Sequence, residues 1–268
     1  MEDCDYVLGT QDDEIGRLGL QHCVWRARML DAWRRAGIAP GQSVFDVGAG
    51  PGFATTDLAE IVGPAGRVVA IERSRRFLDT LEARAARLGL ANVETRALDV
   101  CEAGFGEAVA DACWCRWLLS FAAAPRRAVA HIASALKPSG VAIFHEYADY
   151  RSWQMMPPDP RVERFRSLAM ASWRDSGGEP DIALRLPEWL TAEGLRIVEI
   201  RPLIDIVGPA DFAWQWPAAF MATNAARLHE LGYVDAAEAD AMAHALDDPA
   251  PGTLMITPLV AEIVARRS

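Results

Sequence analysis

The sequence holds a single lysine, Lys137; the remainder of its 27 basic residues is arginine. Lys137 sits in a Lys-Pro-Ser-Gly turn, so chemistry through a buried Schiff-base lysine has no candidate. Positive charge is in deficit: 27 Lys+Arg stand against 37 Asp+Glu, a net charge of −10. Such a surface repels phosphate backbones and disfavours nucleic acid as a partner. No apolar, charge-free run of about 18 residues occurs, so no membrane span is expected. The stretch Met1-Glu-Asp-Cys-Asp5 is acidic, where a secretory signal would be basic and then apolar. Cysteine is sparse and odd in number, five in all (Cys4, Cys23, Cys101, Cys113, Cys115). That combination implies reduced thiols and a cytoplasmic protein. Cys113 and Cys115 share one strand face, with no second pair at zinc spacing, so they read as buried thiols and no metal site is expected.

What is present is ordinary for a globular chain: 268 residues, 51% hydrophobic, 24% charged. This length allows one or two domains and a core that needs no staples. Residues 12–36 read as a helix, with Ile15, Leu18, His22, Trp25, Met29 and Trp33 on one face. Short apolar runs at 43–47, 67–72, 93–98, 112–118 and 141–147 alternate with helical stretches near 54–62, 77–88 and 125–136. Such alternation predicts an α/β fold, a doubly wound, mostly parallel sheet with helices on both faces. Beyond Asp149 the texture changes. Pro157, Pro158 and Pro160 precede a helix at 161–174, a strand at 195–206 and helices at 211–231 and 235–246. Residues 253–257 and 260–264 read as one last strand interrupted by Pro258.

The most informative segment is Val44-Phe-Asp-Val-Gly-Ala-Gly-Pro-Gly-Phe53. A strand ends in an acid and enters a turn with glycine at 48, 50 and 52. The spacing departs from the dinucleotide G-x-G-x-x-G, and Asp46 would repel a diphosphate. A ligand with an ammonium and a carboxylate suits it better: the glycine amides hold the carboxylate and Asp46 organises the ammonium. Glu72 ends the next strand, where a carboxylate accepts both ribose hydroxyls. Asp99 ends the third, within reach of an adenine amino group. Taken alone, each feature is also an ordinary turn or strand end; in order, they describe one nucleoside-bearing ligand.

These residues resemble the class I S-adenosylmethionine-dependent methyltransferases, in the small-molecule branch that includes quinone-pathway and natural-product enzymes. Val44–Gly52, Val69–Glu72 and Ala97–Asp99 match the first three motifs; Asp111–Leu118 and Leu136–Ile143 match the fourth- and fifth-strand blocks. The resemblance implies seven strands, the last antiparallel, and a helical cap between strands five and six. Pro258 departs from it, since proline is awkward in a central strand; a bulge or an earlier strand end would reconcile the two. It implies S-adenosyl-L-methionine as cofactor, bound by Asp46, Gly48, Ala49, Gly50, Gly52, Glu72, Arg73, Asp99, Val100 and Arg116. Tyr6, Arg17 and Gln21, from an N-terminal segment over residues 1–40, would close over it; as i, i+4 neighbours, Arg17 and Gln21 can also be solvated flanks of the helix. The remaining segments are a core at 41–150, a lid at 151–194 and a C-terminal part at 195–268.

His145, Glu146 and Tyr147 end the fifth strand, where ligands bind in doubly wound sheets. Each is a candidate base for a protonated acceptor; the alternative for His145 is a hydrogen-bonded core histidine. Strand alternation puts His145 and Glu146 on opposite faces. Arg116 can bind a carboxylate or phosphate of a substrate, or form a surface ion pair. Five of nine tryptophans (153, 173, 189, 214, 216) and six of eight methionines follow residue 150. They are core of the added helices, or the lining of a chamber for an aromatic or lipophilic small substrate. Two other functions share these residues: a cofactor-binding protein that transfers no methyl, as a partner subunit or a cyclisation or rearrangement catalyst, and, less favoured, an NAD-dependent oxidoreductase. A homo-oligomer is compatible with the sequence, which leaves the acceptor open.

Overall fold

The computed structural model describes residues 8–268; Cys4 and Tyr6 lie outside that range. In chain order the elements are α1 (Asp12–Ala36), β1 (Ser43–Val47), α2 (Phe53–Val62), β2 (Arg67–Glu72), α3 (Arg75–Leu88), β3 (Val93–Ala97), β4 (Ala110–Arg116), α4 (Pro125–Ala135) and β5 (Leu136–Asp149). There follow β6 (Gln154–Met156), α5 (Pro160–Asp175), α6 (Leu186–Ala192), β7 (Leu195–Leu203), β8 (Ile206–Val207), α7 (Gln215–Glu230), α8 (Ala236–Ala243), β9 (Leu254–Ile256) and β10 (Leu259–Arg267).

Helix α1 carries Asp12, Asp13 and Glu14 in its first turn and Arg34 and Arg35 in its last, matching the helix dipole at both ends. It stops where Gly37 takes φ 88° and donates its N–H back to Trp33 and Arg34. Its stripe of Trp25, Met29, Ala32 and Trp33 is buried, with Trp33 edge-on to Trp114 of β4 at 5.3 Å. Full burial of a side chain such as Met29 contributes about 1.5–3 kcal/mol. Arg35 fixes the far end of α1 to the sheet through Glu199 of β7 and Glu262 of β10.

The main sheet has the order β3-β2-β1-β4-β5-β10-β7. Strands β3 to β5 pair in parallel and β10 runs antiparallel between β5 and β7. All five residues of β1 are buried, as a strand covered by helices on both faces requires. The chain reverses its direction of winding between β1 and β4, so the carboxyl ends of β1, β2 and β4 border a crevice, the usual ligand position in such sheets.

The structure divides the expected last strand. Leu254–Ile256 pairs with β6 and β8 in a separate three-stranded sheet, and Leu259–Arg267 joins the main one. Pro258 falls between them, so its missing N–H breaks no ladder, and a register shift at Leu259/Val260 marks the entry of β10. The short strands β6 and β8 and helix α6 were not visible as periodicity; α6 packs on β7 and α4. Over the carboxyl end of the sheet lies a cap in which α5 shares one apolar cluster with α7 and α8. Helix α5 comes from the connection after β5, and α7 and α8 from the connection between β7 and β10.

Candidate active site

Three glycines shape the turn after β1. Gly48, Gly50 and Gly52 have φ of 77°, 54° and 80°, the left-handed region that other residues rarely adopt. At Gly52 a Cβ would lie 2.0 Å from Leu81 Cδ1, and at Gly48 it would lie 3.0 Å from Leu118 Cβ; at Gly50 it would meet nothing. Gly50 therefore serves backbone conformation, and the other two serve close approach as well.

The turn's amides are already engaged. Gly48 and Ala49 donate to the Ile71 carbonyl at 2.9 and 3.0 Å, and Gly52 donates to the Ala49 carbonyl at 3.1 Å. Gly50 donates to Glu72 Oε2 at 3.0 Å. The expectation that these amides hold a ligand carboxylate is corrected: they lock the turn onto β2 and its terminal glutamate.

The acids at the strand ends come together. Asp46, Glu72 and Asp99 all line one cleft whose empty volume, mouth included, is about 1120 Å³. Gln21, Gly48, Ala49, Gly50, Arg73, Val100 and Arg116 line it too. Asp46 is buried and accepts a 2.6 Å hydrogen bond from Thr55 Oγ1. Burial pushes its pKa up to about 6, against the pull of that hydrogen bond and of Arg116. Burial likewise raises Glu72, whose Oε1 accepts from the Ser74 N–H at 2.9 Å. Asp99 accepts from the Cys101 N–H at 2.8 Å and faces Arg73 at 3.7 Å.

Two cations line the cleft, Arg73 beside Asp99 and the more deeply set Arg116. The Arg116 guanidinium lies 5.1 Å from the Trp117 ring and 5.9 Å from Trp114, with Nη1 3.7 Å from Met29 Sδ. Among the described residues no carboxylate lies within ion-pair distance of it. Burial lowers its pKa to about 10, partly offset by Asp46. The surface ion pair weighed for it is not found among the described residues.

Other expected site residues stand back from the cleft. Gly52 shapes the turn from behind it. Arg17 is turned to Glu14 in a bidentate pair, both bonds 2.7 Å, and lies over the Phe220 ring. Its Nη1 donates to Gln21 Oε1 at 3.0 Å, which also accepts from Trp216 Nε1 at 3.1 Å. Gln21 thus joins the cleft wall to α7 of the cap. Tyr147 and Arg17 border a smaller void next to the cleft, together with Trp173 and Phe220; Gln21, Trp117 and Phe121 separate the two spaces. Burial raises the Tyr147 hydroxyl above its ordinary range.

His145 and Glu146 do not reach the cleft, which corrects their placing as bases. They do lie on opposite faces. His145 points to the α1 side, wholly buried between Trp25 and Trp114, its Nε2 2.9 Å from Glu262 Oε2. Burial lowers its pKa and keeps it neutral. Glu146 points the other way, into the turn after β4. Sequence reasoning missed Trp114, Leu18, Phe53 and Phe121, all on the cleft wall. For Leu18 and Phe53 the available signal was their position, on the α1 stripe and directly after the glycine turn.

Residues 45–144 match the model of a methyltransferase domain. Over that stretch, which is less than half of the chain, the protein is similar to methyltransferase domains. Demethylmenaquinone methyltransferase of Lactococcus lactis is 35% identical over 74 residues, which is 28% of either chain. An uncharacterised protein of transposon Tn4556 from Streptomyces fradiae is 31% identical over 140 residues, 52% of this chain and 39% of that one. The chain thus spans well under half the length of these relatives. Among solved structures, the [4+2]-cyclase SpnF superposes with a TM-score of 0.58 at 19% identity, covering 90% of this chain and 80% of that one. Geranyl diphosphate C-methyltransferase of Streptomyces coelicolor gives 0.57 at 17%, covering 91% and 76%. At these identities the structures speak for the fold. Among the described residues no helix is long and apolar enough to cross a membrane, and no group of three or more metal-ligating side chains gathers.

Proposed function

We propose that this protein transfers the methyl group of S-adenosyl-L-methionine to a small aromatic or lipophilic acceptor. The observation that carries the reading is the convergence of Asp46, Glu72 and Asp99, from three successive strand ends, on one cleft beside a guanidinium that has no carboxylate partner among the described residues. That donor and acceptor set fits an adenosyl amino acid. Glu72 takes the ribose hydroxyls and Asp99, with Val100 beside it, the adenine edge. Asp46 takes the ammonium. Arg116 and Gln21 supply the carboxylate partners that the glycine amides cannot. Helix α1 covers the cofactor.

When bound, the cofactor supplies a methyl group already activated on a positive sulfur. What the chain adds is positioning, since holding two reactants in line removes most of the entropic barrier. The aromatic void across Gln21, Trp117 and Phe121 lies where an acceptor would meet that methyl. In this structure its Trp117, Tyr147, Trp173 and Phe220 rings pack on one another and leave space for about one water, so a flat apolar acceptor enters there only as these rings part. The partner is then a small molecule, not a nucleic acid, and the protein works in the cytoplasm.

Calorimetry with S-adenosylmethionine, S-adenosylhomocysteine and NAD tests the cofactor, and S-adenosylhomocysteine formation across a panel of aromatic and lipophilic acceptors tests the reaction. Preference for NAD would end this reading. Because a cyclase shares the fold, tight cofactor binding without any methyl transfer would assign the chain to the non-transferring class.

A further inference from the structure

The described side chains include one carboxylate whose placement neither the cleft nor the core explains. Glu146 is fully buried in β5, yet it makes no ion pair within the described residues and does not line the cleft. Its Oε1 accepts from the Leu118 N–H at 3.0 Å and the Leu119 N–H at 2.8 Å. Its Oε2 accepts from Ser120 Oγ at 3.0 Å and the Ser120 N–H at 3.4 Å. Three consecutive amides and a hydroxyl converge on one carboxyl group, the arrangement of an anion nest with a side chain as its occupant; burial pushes its pKa up to about 7, against the pull of these donors.

We propose that Glu146 is the positioning residue of the Trp117–Ser120 turn, and that through this turn it sets the affinity of the cleft for S-adenosyl compounds. The proposal rests on the methyl-transfer reading for the identity of the ligand.

The turn needs such an anchor because Trp117 adopts φ 49°, a left-handed conformation disfavoured for an aromatic residue. On its near side Trp117 is held by its own N–H, which donates to the His145 carbonyl at 3.0 Å. Beyond it the chain leaves the ladder, and the next three amides have no strand to bond. Glu146 gathers them. The twist delivers the Trp117 ring to the partition between cleft and aromatic void, stacked on Tyr147 at 5.6 Å and on Trp216 at 5.5 Å. It also lays Leu118 against Gly48, closing the floor of the glycine turn. On the outer side Ser120 O accepts from the Glu179 N–H at 3.0 Å, which ties the same turn to the connection leading from the cap. A carboxylate suits this position better than an amide: three backbone N–H groups can only donate, and a glutamine that turned its NH₂ to the Ser120 hydroxyl, which can accept, would also bring it against the Ser120 N–H. Glu146 acts through the turn and touches no ligand.

The test measures S-adenosylhomocysteine affinity by calorimetry and amide hydrogen exchange in wild type, Glu146→Gln, Glu146→Ala and Ile132→Ala. The last removes a buried side chain of α4 and serves as a control for general destabilisation. Glu146→Ala is expected to weaken binding at least tenfold and Glu146→Gln about threefold or more. In Glu146→Gln the amides of Leu118, Leu119 and Ser120 should exchange faster while those of β5 keep their protection. Ile132→Ala should lower Tm and leave affinity within twofold. Should Glu146→Ala fail to fold, Glu146→Gln decides alone. Wild-type affinity in folded Glu146→Gln, or a loss of affinity in Ile132→Ala that matches its loss of Tm, overturns the proposal. A wild-type protein that binds no S-adenosylhomocysteine at all would instead overturn the assignment of the cleft.

Discussion

Glu262 of β10 sits directly opposite His145 of β5 in the antiparallel ladder, and its carboxylate accepts the imidazole Nε2–H at 2.9 Å. The same carboxylate meets Arg35 of α1. This pair belongs to the joint between α1 and the sheet, and it predicts a stability phenotype in place of a catalytic one. His145→Ala should cost about 2–4 kcal/mol, because it opens a hole between two tryptophans and strips a buried acceptor of one donor. S-adenosylhomocysteine affinity should stay within a factor of two. Urea unfolding and calorimetry check both; a tenfold loss of affinity without loss of stability would return His145 to the ligand site.

The same residue predicts a pH effect. Burial depresses the His145 pKa in the folded state below its ordinary value near 6.5. Between those two values the unfolded chain binds a proton that the folded chain does not, so the contribution of His145 is complete above about pH 6.5 and declines as the pH falls. Asp46, raised to about 6, works in the opposite direction, so the comparison must be between variants. The stability advantage of wild type over His145→Gln should shrink between pH 7.5 and 5.5, as read by urea titration at each pH. An advantage that grows on acidification would show that the folded state holds this imidazole charged.

Glu72 accepts from Gly50 and Ser74 with one oxygen each and still faces the cleft. On the proposed reading its removal takes a charged acceptor from the ribose, and it also loosens the glycine turn. Glu72→Ala should weaken S-adenosylmethionine binding by about 1–3 kcal/mol. Unchanged affinity by calorimetry would take Glu72 out of the site.

Arg116 has the clearest electrostatic signature. Among the described residues no carboxylate is within ion-pair distance of its guanidinium, and on the proposed reading it serves the ligand. Arg116→Gln should weaken S-adenosylhomocysteine about 10- to 100-fold, the range expected when a charge-assisted pair is lost. Arg116→Lys should recover little of it, since an ammonium lacks the flat fork that lies over Trp117. Equal affinities in all three proteins would assign Arg116 to the acceptor or to structure.

The turn glycines separate two effects. Gly50→Ala adds a methyl group in open space, and its penalty is that of a left-handed alanine, about 1–2 kcal/mol. Gly52→Ala adds the same strain and drives a Cβ into the backbone-proximal part of Leu81, so its loss of stability should be clearly larger. Thermal melts of the two variants, side by side, test the ordering.

Sequence made the sheet and the cofactor end of the site legible for a specific reason. Strands β1, β2 and β3 end in short-range features, an acid and a turn, and a parallel sheet sets those ends side by side. Hydrophobic period gave the helices within a few residues, with α6 the exception: seven residues behind a 3₁₀ turn are too few to show a period. Alternation gave the opposite faces of His145 and Glu146, but what each face meets was not legible. His145, Glu146 and Tyr147 stand in a row, yet one serves the α1 joint, one the turn after β4 and one the aromatic void. Their partners, Glu262, Leu119 and Trp117, come from three different places in the chain, and no local spacing encodes such pairings. The same holds for the glycine amides: that Ile71 and Glu72 consume them follows from strand register, which the glycine spacing does not contain.

Gln21 offers one amide oxygen to two donors, Arg17 on its own helix and Trp216 in the cap, while its side chain walls the cleft. One oxygen atom therefore couples the wall of the cleft to α7, so a shift of that helix is felt directly at Gln21.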